Sequence, residues 1–436
     1  MLNNKKITKE EFEEALNTEL KIIGKKEDSN YISINYFRDS VLEELKTITE
    51  VPASTIETGG LKIYTTLDAT AQKSLEDSVY SYINDDTKIE TAAIMMDPNT
   101  GEVLALIGGN NYSKSQFNRA TKAKRQVGST MKPLLYYSAL ESGFTSSSSF
   151  TSEKTTFTFS GGKSYSPKNY NDRYAEGPLS MEAAIAYSDN IYAVKTHLFL
   201  GENNLINTAK RLGITSNLSE VPSLALGTSE ISLIEMTSAY SCFASLGYKT
   251  TPHFIKKIED SKGNILYENK EEKELLLNPS LTYILNEMLT STYNKNFINY
   301  NYPTLISLLP QITHKYAIKS GTTDTDLLIM GYNKNVVLGV WNGYDNNTKI
   351  DSSEYSHHKN IWIDTMESYF KQKEASWYEI PNNVVGVLTE PITGALATDE
   401  TQNKEMFFYL KGTEPSAESN YKDLEAVFQE ENNSNT

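Results

Sequence analysis

Gly128-Ser129-Thr130-Met131-Lys132-Pro133 is followed by a partly apolar run from Leu134 to Leu140. A glycine permits a sharp entry into a helix and a proline is tolerated within its first turn, so this stretch predicts the start of a buried helix. Helical spacing would place Ser129 and Lys132 on one face, at the positive end of the helix dipole. A neutral lysine can take the proton of a serine, which is a weak nucleophile on its own. The plainer alternative is a helix-capping serine beside a solvated lysine.

The Ser-x-x-Lys spacing by itself does not single out one site in this chain. It recurs at Ser160 and Lys163, Ser356 and Lys359, Ser368 and Lys371, and Ser419 and Lys422. In the same order, these copies lie in a loop of Gly and Ser, beside two histidines, on a helix face interpreted as surface, and in the polar C-terminal segment. Only the copy at Ser129 joins a glycine entry to an apolar helix, so its context favours it as the nucleophile.

Composition excludes several classes of function. The net charge of -15 argues against binding to a nucleic-acid backbone, which needs clustered Lys and Arg. The single cysteine, Cys242, excludes an internal disulfide and a multi-cysteine metal site. None of the five histidines forms a His-x-x-x-His pair. We therefore expect no metal, no cofactor and no nucleic-acid partner, in a globular chain whose 39% hydrophobic content suffices for a sizeable core.

The N-terminal part of the chain predicts helices followed by strands. Thr8 and Glu11 form a capping-box pattern ahead of an amphipathic helical lead-in that extends to about Leu45. Alternating residues over 61–67 predict a strand, and a helix is expected from about Ala69. The apolar runs 91–96 and 102–107 flank the turn Asp97-Pro98-Asn99-Thr100-Gly101, which predicts a hairpin.

The remainder predicts a helical middle followed by more strands. Apolar residues recur at helical spacing over 181–199, 204–212 and 231–246. A hairpin is expected around residues 260–264, and the short apolar runs 316–320, 327–332 and 336–341 predict an antiparallel meander. Strands on both sides of a helical region indicate a mixed α/β (α+β) domain, whose sheet would bring distant segments together.

Two further polar clusters lie within or beside apolar sequence. Ser188-Asp189-Asn190 separates two apolar stretches, where polar groups cost free energy unless they have partners. Lys319-Ser320-Gly321-Thr322 ends an apolar strand, and Gly321 would let a substrate backbone approach that strand closely. The plainer alternatives are a helix cap for the first cluster and an exposed strand-end lysine for the second.

In this order, the three clusters resemble the Ser-x-x-Lys, Ser-x-Asn and Lys-Ser/Thr-Gly motifs of the penicillin-binding and serine β-lactamase superfamily. The resemblance to transpeptidase domains of class A penicillin-binding proteins extends to Arg125–Pro133, Pro167–Tyr170, Leu226–Glu230, Lys319–Thr323, Val340–Asp345 and Gly412–Pro415. Residues 7–12 and 59–68 are similar to the link between glycosyltransferase and transpeptidase in that class. Val127 stands where the family usually has a proline, and Leu328 where a tryptophan is expected.

The resemblance implies a penicillin-binding/serine β-lactamase-like fold: an antiparallel sheet flanked by helices, with an all-helical subdomain. It also implies catalytic roles for three residues. Ser129 would be the nucleophile and Lys132 its general base, made neutral by burial and by the positive Lys319. Ser188 would pass a proton to the leaving amine.

The same resemblance implies how a substrate would be held. The backbone N–H groups of Ser129 and Thr322 would form the oxyanion hole. Asn190 would hydrogen-bond the substrate backbone, and Lys319 with the hydroxyls of Ser320 and Thr322 would hold a terminal carboxylate. The substrate-binding residues would therefore be Asn190, Lys319, Ser320, Gly321 and Thr322.

The implied activity is that of a D,D-transpeptidase, which cross-links peptidoglycan stem peptides through a serine acyl-enzyme and is acylated and inhibited by β-lactams. D,D-carboxypeptidation would be a side activity. A class A β-lactamase would also need a glutamate that activates the deacylating water, and this chain is far longer than such an enzyme requires. The chain could instead be a β-lactam sensor, or a scaffold domain that lacks transfer activity.

The implied division of the chain has three parts. Residues 1–60 would be a helical linker following a glycosyltransferase domain, 61–415 the transpeptidase domain, and 416–436 an acidic, disordered tail. No run of about 18 apolar residues is present. We therefore expect part of a longer protein, anchored at the extracytoplasmic face of the bacterial cytoplasmic membrane. Its partners would be stem peptides, β-lactams and proteins of cell-wall synthesis or division.

Overall fold

The computed structural model describes residues 2–4, 6–17, 34–83, 87–416 and 424, and the chain divides after Ile32 into two compact units. The first contains helix α1 (Lys9–Asn17). Its predicted capping box is confirmed: the Thr8 N–H donates to the Glu11 carboxylate at 2.7 Å, and the Glu11 N–H donates to the Thr8 hydroxyl at 3.1 Å. Within these ranges, no helix has the length and apolar character needed to cross a bilayer.

The second unit contains the other helices and the strands. The helices are α2 (Ile34–Leu45), α3 (Ala53–Thr58), α4 (Ala69–Tyr82), α5 (Arg119–Lys122), α6 (Lys132–Glu141), α7 (Met181–Tyr187), α8 (Asn190–Leu200), α9 (Glu202–Arg211), α10 (Leu233–Ala244), α11 (Pro279–Met288) and α12 (His357–Phe370). The strands are β1 (Lys62–Thr65), β2 (Glu90–Met96), β3 (Val103–Ile107), β4 (Lys124–Gln126), β5 (Ser149–Ser152), β6 (Phe157–Thr158), β7 (Ser164–Tyr165), β8 (Gly177–Ser180), β9 (Glu230–Ser232), β10 (Tyr248–Lys249), β11 (Ile255–Glu259), β12 (Ile265–Glu268), β13 (Glu274–Leu275), β14 (Ala317–Thr322), β15 (Asp326–Tyr332), β16 (Val337–Gly343), β17 (Val384–Thr389) and β18 (Glu405–Leu410).

An antiparallel sheet in the order β14-β15-β16-β2-β3 forms the centre of this unit. The predicted hairpin is β2–β3, and the predicted meander is β14–β15–β16, so both are confirmed. They join between β16 and β2, where Val340 lies opposite Ala93. The sheet thus connects two segments that are far apart in sequence, as predicted.

Both faces of the sheet are buried, because alternate residues of each strand face different sets of helices. Ala93 and Met95 of β2 belong to a core shared with α4 and α12. Ala92 and Ile94 belong to the core that contains residues of α6, α10 and α11. The sheet is therefore a layer between helices, which confirms the predicted fold class; the helical part also carries the short ladders β5–β8 and β6–β7.

The helix predicted over 181–199 is broken in two, which corrects the prediction. Helix α7 ends at Tyr187, and Ser188 adopts a left-handed conformation with φ 55° and ψ 44°. Asp189 then caps α8 by accepting from the Tyr192 N–H at 2.8 Å. The cluster Ser188-Asp189-Asn190 thus caps a helix, as its plainer interpretation predicted. Helices α9 and α10 confirm the other two helical predictions.

The ends of the second unit bear on the predicted division of the chain. Helix α2 buries Tyr36 and Phe37 in the core, and the Glu44 carboxylate accepts from the N–H groups of Phe254 and Ile255 at the start of β11. The boundaries at residues 60 and 415 stay predictions. Of the predicted tail, Leu424 is buried and its N–H donates to the Ser149 carbonyl at 3.0 Å. Apart from Ser416 and Leu424, that tail lies outside the described residues.

Candidate active site

Ser129 lies in a 3-10 turn, Gly128–Met131, immediately before α6. The α-helix therefore begins at Lys132 and not at Ser129, because the Thr130 N–H and hydroxyl both donate to the Val127 carbonyl and tighten the turn. The Lys132 N–H donates to the Ser129 carbonyl, so the two residues are still one turn apart. The Ser129 side chain is half-buried, and its hydroxyl has no hydrogen bond within the described part of the chain.

Lys132 is fully buried, and oxygen atoms of the turn between α7 and α8 surround its amine. Its Nζ lies 2.7 Å from the Ser188 carbonyl and 2.7 Å from Oδ1 of Asn190. The Ser188 hydroxyl and the Asp189 carbonyl are each 3.2 Å away. A neutral amine can donate to the two oxygens at 2.7 Å and keep its lone pair for a hydroxyl proton. The fold therefore brings three predicted site residues, Lys132, Ser188 and Asn190, into direct contact.

The protonation of this amine depends mainly on its burial. Burial lowers the pKa of Lys132 to about 7, while the Asp189 carboxylate acts in the opposite direction. Burial also lowers the pKa of Lys319 well below its usual value, and repulsion from Lys132 and Lys359 lowers it further. The pKa of Lys132 therefore depends on burial and on Asp189, and the contribution expected from a positive Lys319 stays a prediction. This setting agrees with the expectation that Lys132 is neutral.

Lys319 is fully buried in β14, so its interpretation as an exposed strand-end lysine is wrong. Its Nζ donates to the Ser320 carbonyl at 2.7 Å. The alternation of a strand places Lys319 and Gly321 on one face and the side chains of Ser320 and Thr322 on the other. The predicted joint binding of a carboxylate by these residues stays a prediction.

Gly321 provides room for a neighbouring segment of the chain, and the expected approach of a substrate to this strand stays a prediction. A Cβ atom at Gly321 would lie 2.4 Å from the Val127 carbonyl oxygen and 3.1 Å from Cγ2 of Thr130. The missing side chain thus lets β14 pack against the turn that carries Ser129. In the same contact, a Cβ at Gly128 would be 3.1 Å from the Thr322 nitrogen. The residue before Ser129 therefore lies against the backbone of Thr322, and the oxyanion hole stays a prediction.

Gly227 supports the opposite side of the same turn. Its carbonyl accepts from the Gly128 N–H at 3.0 Å, and a Cβ at Gly227 would lie 2.0 Å from the Gly128 carbonyl oxygen. The sequence singled out Leu226–Glu230 only through the family resemblance, with no role for the glycine. The turn that carries Ser129 is thus enclosed between Gly227 and β14.

We expect Gly227→Ala to destabilise the protein by about 1–3 kcal/mol more than Gly161→Ala, because only the first adds overpacking. Both glycines have left-handed dihedral angles, φ 74° and ψ 39° at Gly227 and φ 77° and ψ 16° at Gly161, but a Cβ at Gly161 has no heavy atom within 4 Å. Both variants carry the cost of a left-handed alanine, about 1–2 kcal/mol. Urea unfolding of the two variants measures the difference, and equal losses would show that the close contact at Gly227 is unimportant.

An ion pair between the partly buried Arg125 and the buried Asp326 joins the segment before Ser129 to β15. The Arg125 Nε donates to the Asp326 carboxylate at 2.7 Å, and its guanidinium lies 5.0 Å from the Trp341 ring. The indole N–H of Trp341 donates to the same carboxylate at 2.9 Å. Trp341 lies opposite Leu328 across β15 and β16, so an indole is present beside the position where a tryptophan was expected. The pair fixes the residues before Ser129 to the strand that follows Thr322.

Sequence reasoning assigned no role to several residues that border the site. Asn169 and Asp189 hold the Ser188–Asn190 turn by hydrogen bonds. Lys359, at the start of α12, donates to the Thr304 carbonyl at 3.3 Å and acts on Lys319 electrostatically. The signal for Asn169 was the family-like stretch 167–170, whereas Lys359 appeared only as part of a rejected Ser-x-x-Lys copy. Those copies at Ser160, Ser356 and Ser368 lie in other elements, and Ser419 is outside the described residues.

Sequence comparison identifies related proteins. A family described as "Penicillin binding protein transpeptidase domain" matches residues 91–350. Penicillin-binding protein 2D of Bacillus subtilis (strain 168) is 42% identical over 383 residues, which are 87% of this chain and 55% of that protein. Penicillin-binding protein 1A of Aquifex aeolicus (strain VF5) is 36% identical over 336 residues, 75% of this chain and 44% of that protein. The chain thus spans about half the length of these relatives.

Solved structures share the fold. Penicillin-Binding Protein 1A from Haemophilus influenzae has a TM-score of 0.79 at 22% identity, covering 95% of this chain and 81% of that one. The PonA1 protein from Mycobacterium tuberculosis in complex with penicillin V has a TM-score of 0.67 at 23% identity, covering 80% of this chain and 96% of that one.

Proposed function

Because the chain belongs to the penicillin-binding protein transpeptidase family, whose members are serine acyltransferases, we propose that it is a D,D-transpeptidase of peptidoglycan. The donor is a stem peptide that ends in D-Ala-D-Ala, and the acceptor is an amine of a neighbouring stem. The observation that carries this proposal is the buried Lys132 amine, held between Ser188 and Asn190 one turn away from Ser129.

Acylation starts with proton transfer from the Ser129 hydroxyl to the lone pair of Lys132. The Ser129 oxygen forms a bond to the carbonyl carbon between the two D-alanines, and the backbone N–H groups of Ser129 and Thr322 stabilise the resulting oxyanion. When the tetrahedral adduct collapses, the carbon–nitrogen bond breaks. Ser188 gives its proton to the departing amine and receives the proton from Lys132, which is 3.2 Å away. D-Alanine leaves, and the acyl group remains on Ser129.

Transfer reverses the proton route. The acceptor amine attacks the ester carbonyl and gives a proton to Lys132, and the Ser129 oxygen leaves and recovers that proton. Water in place of the amine gives D,D-carboxypeptidation. A β-lactam follows the acylation step through its strained amide, but no fragment departs, so the adduct on Ser129 persists and inhibits the enzyme.

The proposed substrate also indicates the cellular location of this domain and its ligands. Peptidoglycan lies outside the cytoplasm, so we place this domain at the extracytoplasmic face of the bacterial cytoplasmic membrane, with stem peptides and β-lactams as its ligands. Proteins of cell-wall synthesis or division are further proposed partners.

Incubation with a donor stem peptide and a labelled acceptor peptide tests the proposed function. Mass spectrometry is expected to detect a cross-linked product with the loss of one D-alanine. Ser129→Ala serves as the control without a nucleophile. Release of D-alanine without a cross-link would reassign the protein as a carboxypeptidase. Acylation by penicillin with neither product would contradict the proposal and favour a sensor or scaffold.

A further inference from the structure

A loop outside the three motifs holds the Ser188–Asn190 turn. Oδ1 of Asn169 accepts from the Asn190 backbone N–H at 2.7 Å, and Nδ2 of Asn169 donates to the Asp189 carboxylate at 2.6 Å. The Ser152 hydroxyl donates to the same carboxylate oxygen at 2.5 Å. One buried side-chain amide thus bridges two consecutive residues of the turn that contacts Lys132.

The same loop fixes the orientation of the Asn190 side chain. Nδ2 of Asn190 donates to the Lys168 carbonyl at 2.6 Å, so its Oδ1 must face the other way, where Lys132 donates to it at 2.7 Å. A carbonyl oxygen can only accept, and therefore a flipped Asn190 would place two oxygens against each other. The loop thereby decides which end of Asn190 meets the amine of Lys132.

The turn requires such support because its conformation is unfavourable. Ser188 has φ 55° and ψ 44°, a left-handed conformation that non-glycine residues rarely adopt. Its carbonyl and hydroxyl both lie within hydrogen-bond distance of Lys132. A small change in this turn would therefore move both polar groups relative to the amine and change the path of the proton.

We propose that Asn169 is a positioning residue for acylation, which holds Ser188 and Asn190 in register with Lys132 through the Asp189 carboxylate and the Asn190 backbone. The proposal rests on the proposed function. The groups that Asn169 positions touch the reacting atoms, whereas Asn169 acts only through them. Its hydrogen bonds are complementary to this turn: the amide oxygen of Asn169 accepts from a backbone N–H, and its amide nitrogen donates to a carboxylate.

This complementarity allows a test by exchange of the two side chains. Asn169→Asp places a second carboxylate against Asp189. It also removes the amide nitrogen that donates to the Arg173 carbonyl at 3.0 Å in the wild type. Asp189→Asn alone places two amide groups against each other. In the double variant, the aspartate at 169 still accepts from the Asn190 N–H, and the asparagine at 189 donates to it and still accepts from the Tyr192 N–H.

Stopped-flow acylation by a fluorescent penicillin separates its non-covalent binding from the acylation rate constant. We expect Asn169→Asp to lower that rate constant by about 100-fold, because displacement of a catalytic group by about 1 Å has an effect of this size. Binding of the antibiotic should change much less. The double variant should recover part of the lost rate, because the exchange restores the hydrogen bond between residues 169 and 189 but not the donor to the Arg173 carbonyl. A merely structural asparagine would change stability without this separation of the acylation rate constant from binding.

Controls separate this inference from folding and from the proposed function. Asn171→Asp makes the same chemical change at an exposed position of the same loop and should acylate like the wild type. If Asn169→Asp does not fold, Asn169→Ser, whose hydroxyl is too short to bridge both partners, takes its place. The inference would be overturned if the wild type is acylated and the folded Asn169→Asp or Asn169→Ser variant keeps the wild-type rate constant. A folded double variant that stays as slow as Asn169→Asp would also overturn it. Failure of the wild type to acylate would instead overturn the proposed function.

Discussion

Replacement of Ser129 by alanine is expected to abolish acylation by penicillin while leaving the fold intact. Loss of the nucleophile in a serine acyltransferase costs about six orders of magnitude in rate, because no other group can form the covalent intermediate. The Ser129 hydroxyl is half-buried and, within the described residues, has no hydrogen bond. Its removal should therefore change the free energy of unfolding by no more than about 0.5 kcal/mol.

Intact mass measurement after incubation with a penicillin, followed by peptide mapping, checks this result. Ser160→Ala is the matched control, because Ser160 and Lys163 have the same spacing in a distant exposed turn. It should bind the antibiotic covalently to the same extent as the wild type. A penicilloyl adduct on the Ser129→Ala protein would refute the assignment of the nucleophile, and thermal unfolding of the variant would show whether its fold is retained.

Acylation is also expected to depend on pH through Lys132. The pKa of its amine is lowered to about 7 by burial, and only the neutral form can accept the Ser129 proton. Above this pH the amine is neutral and the rate reaches a plateau. Below it the neutral fraction decreases, and the acylation rate constant should fall about tenfold for each further pH unit. An unshifted lysine, with a pKa near 10.5, would instead make the rate rise throughout the neutral range.

Lys132→Met should lower the acylation rate constant by about 10²–10⁴-fold and remove the acid limb, because the general base is lost. Lys163→Met, which removes the exposed lysine of the Ser160 copy, should keep both the rate and the limb. Acylation rates measured with a fluorescent penicillin between pH 5 and about 9 test this prediction. Persistence of the same acid limb in Lys132→Met would assign the titration to another group.

The elements that local sequence encodes were predicted well. The β2–β3 hairpin follows from the turn Asp97 to Gly101, whose glycine has φ 83°, between two apolar runs. The meander β14–β16 was recognisable because its short apolar runs alternate with polar turns. The capping box at Thr8 and Glu11 involves residues of a single helical turn. In each of these cases the residues that decide the structure are neighbours in the sequence.

Predictions were wrong or incomplete where the deciding partner is remote. The helix over 181–199 breaks at Ser188, whose left-handed conformation is held by contacts from Lys132 and by Asn169 acting on the next two residues. Gly321 faces the Val127 carbonyl, which no local pattern at β14 reveals. Lys319 was predicted as a site residue, but the sequence did not reveal that the fold buries it completely. Hydrogen bonding and burial between distant segments overrode local preference in all three cases.

The sequence by itself determined the candidate reactive groups of this protein, their order along the chain and the class of fold, because side-chain identity and apolar spacing are local properties. Only the tertiary structure decided how those groups are set to react. The pKa of Lys132 depends on burial beneath segments that are remote in sequence, and the orientation of Asn190 depends on the Lys168 carbonyl and the amide of Asn169. Solvation and hydrogen-bond direction are properties of the assembled cleft, and they arise only when the helices, the sheet and the loop meet.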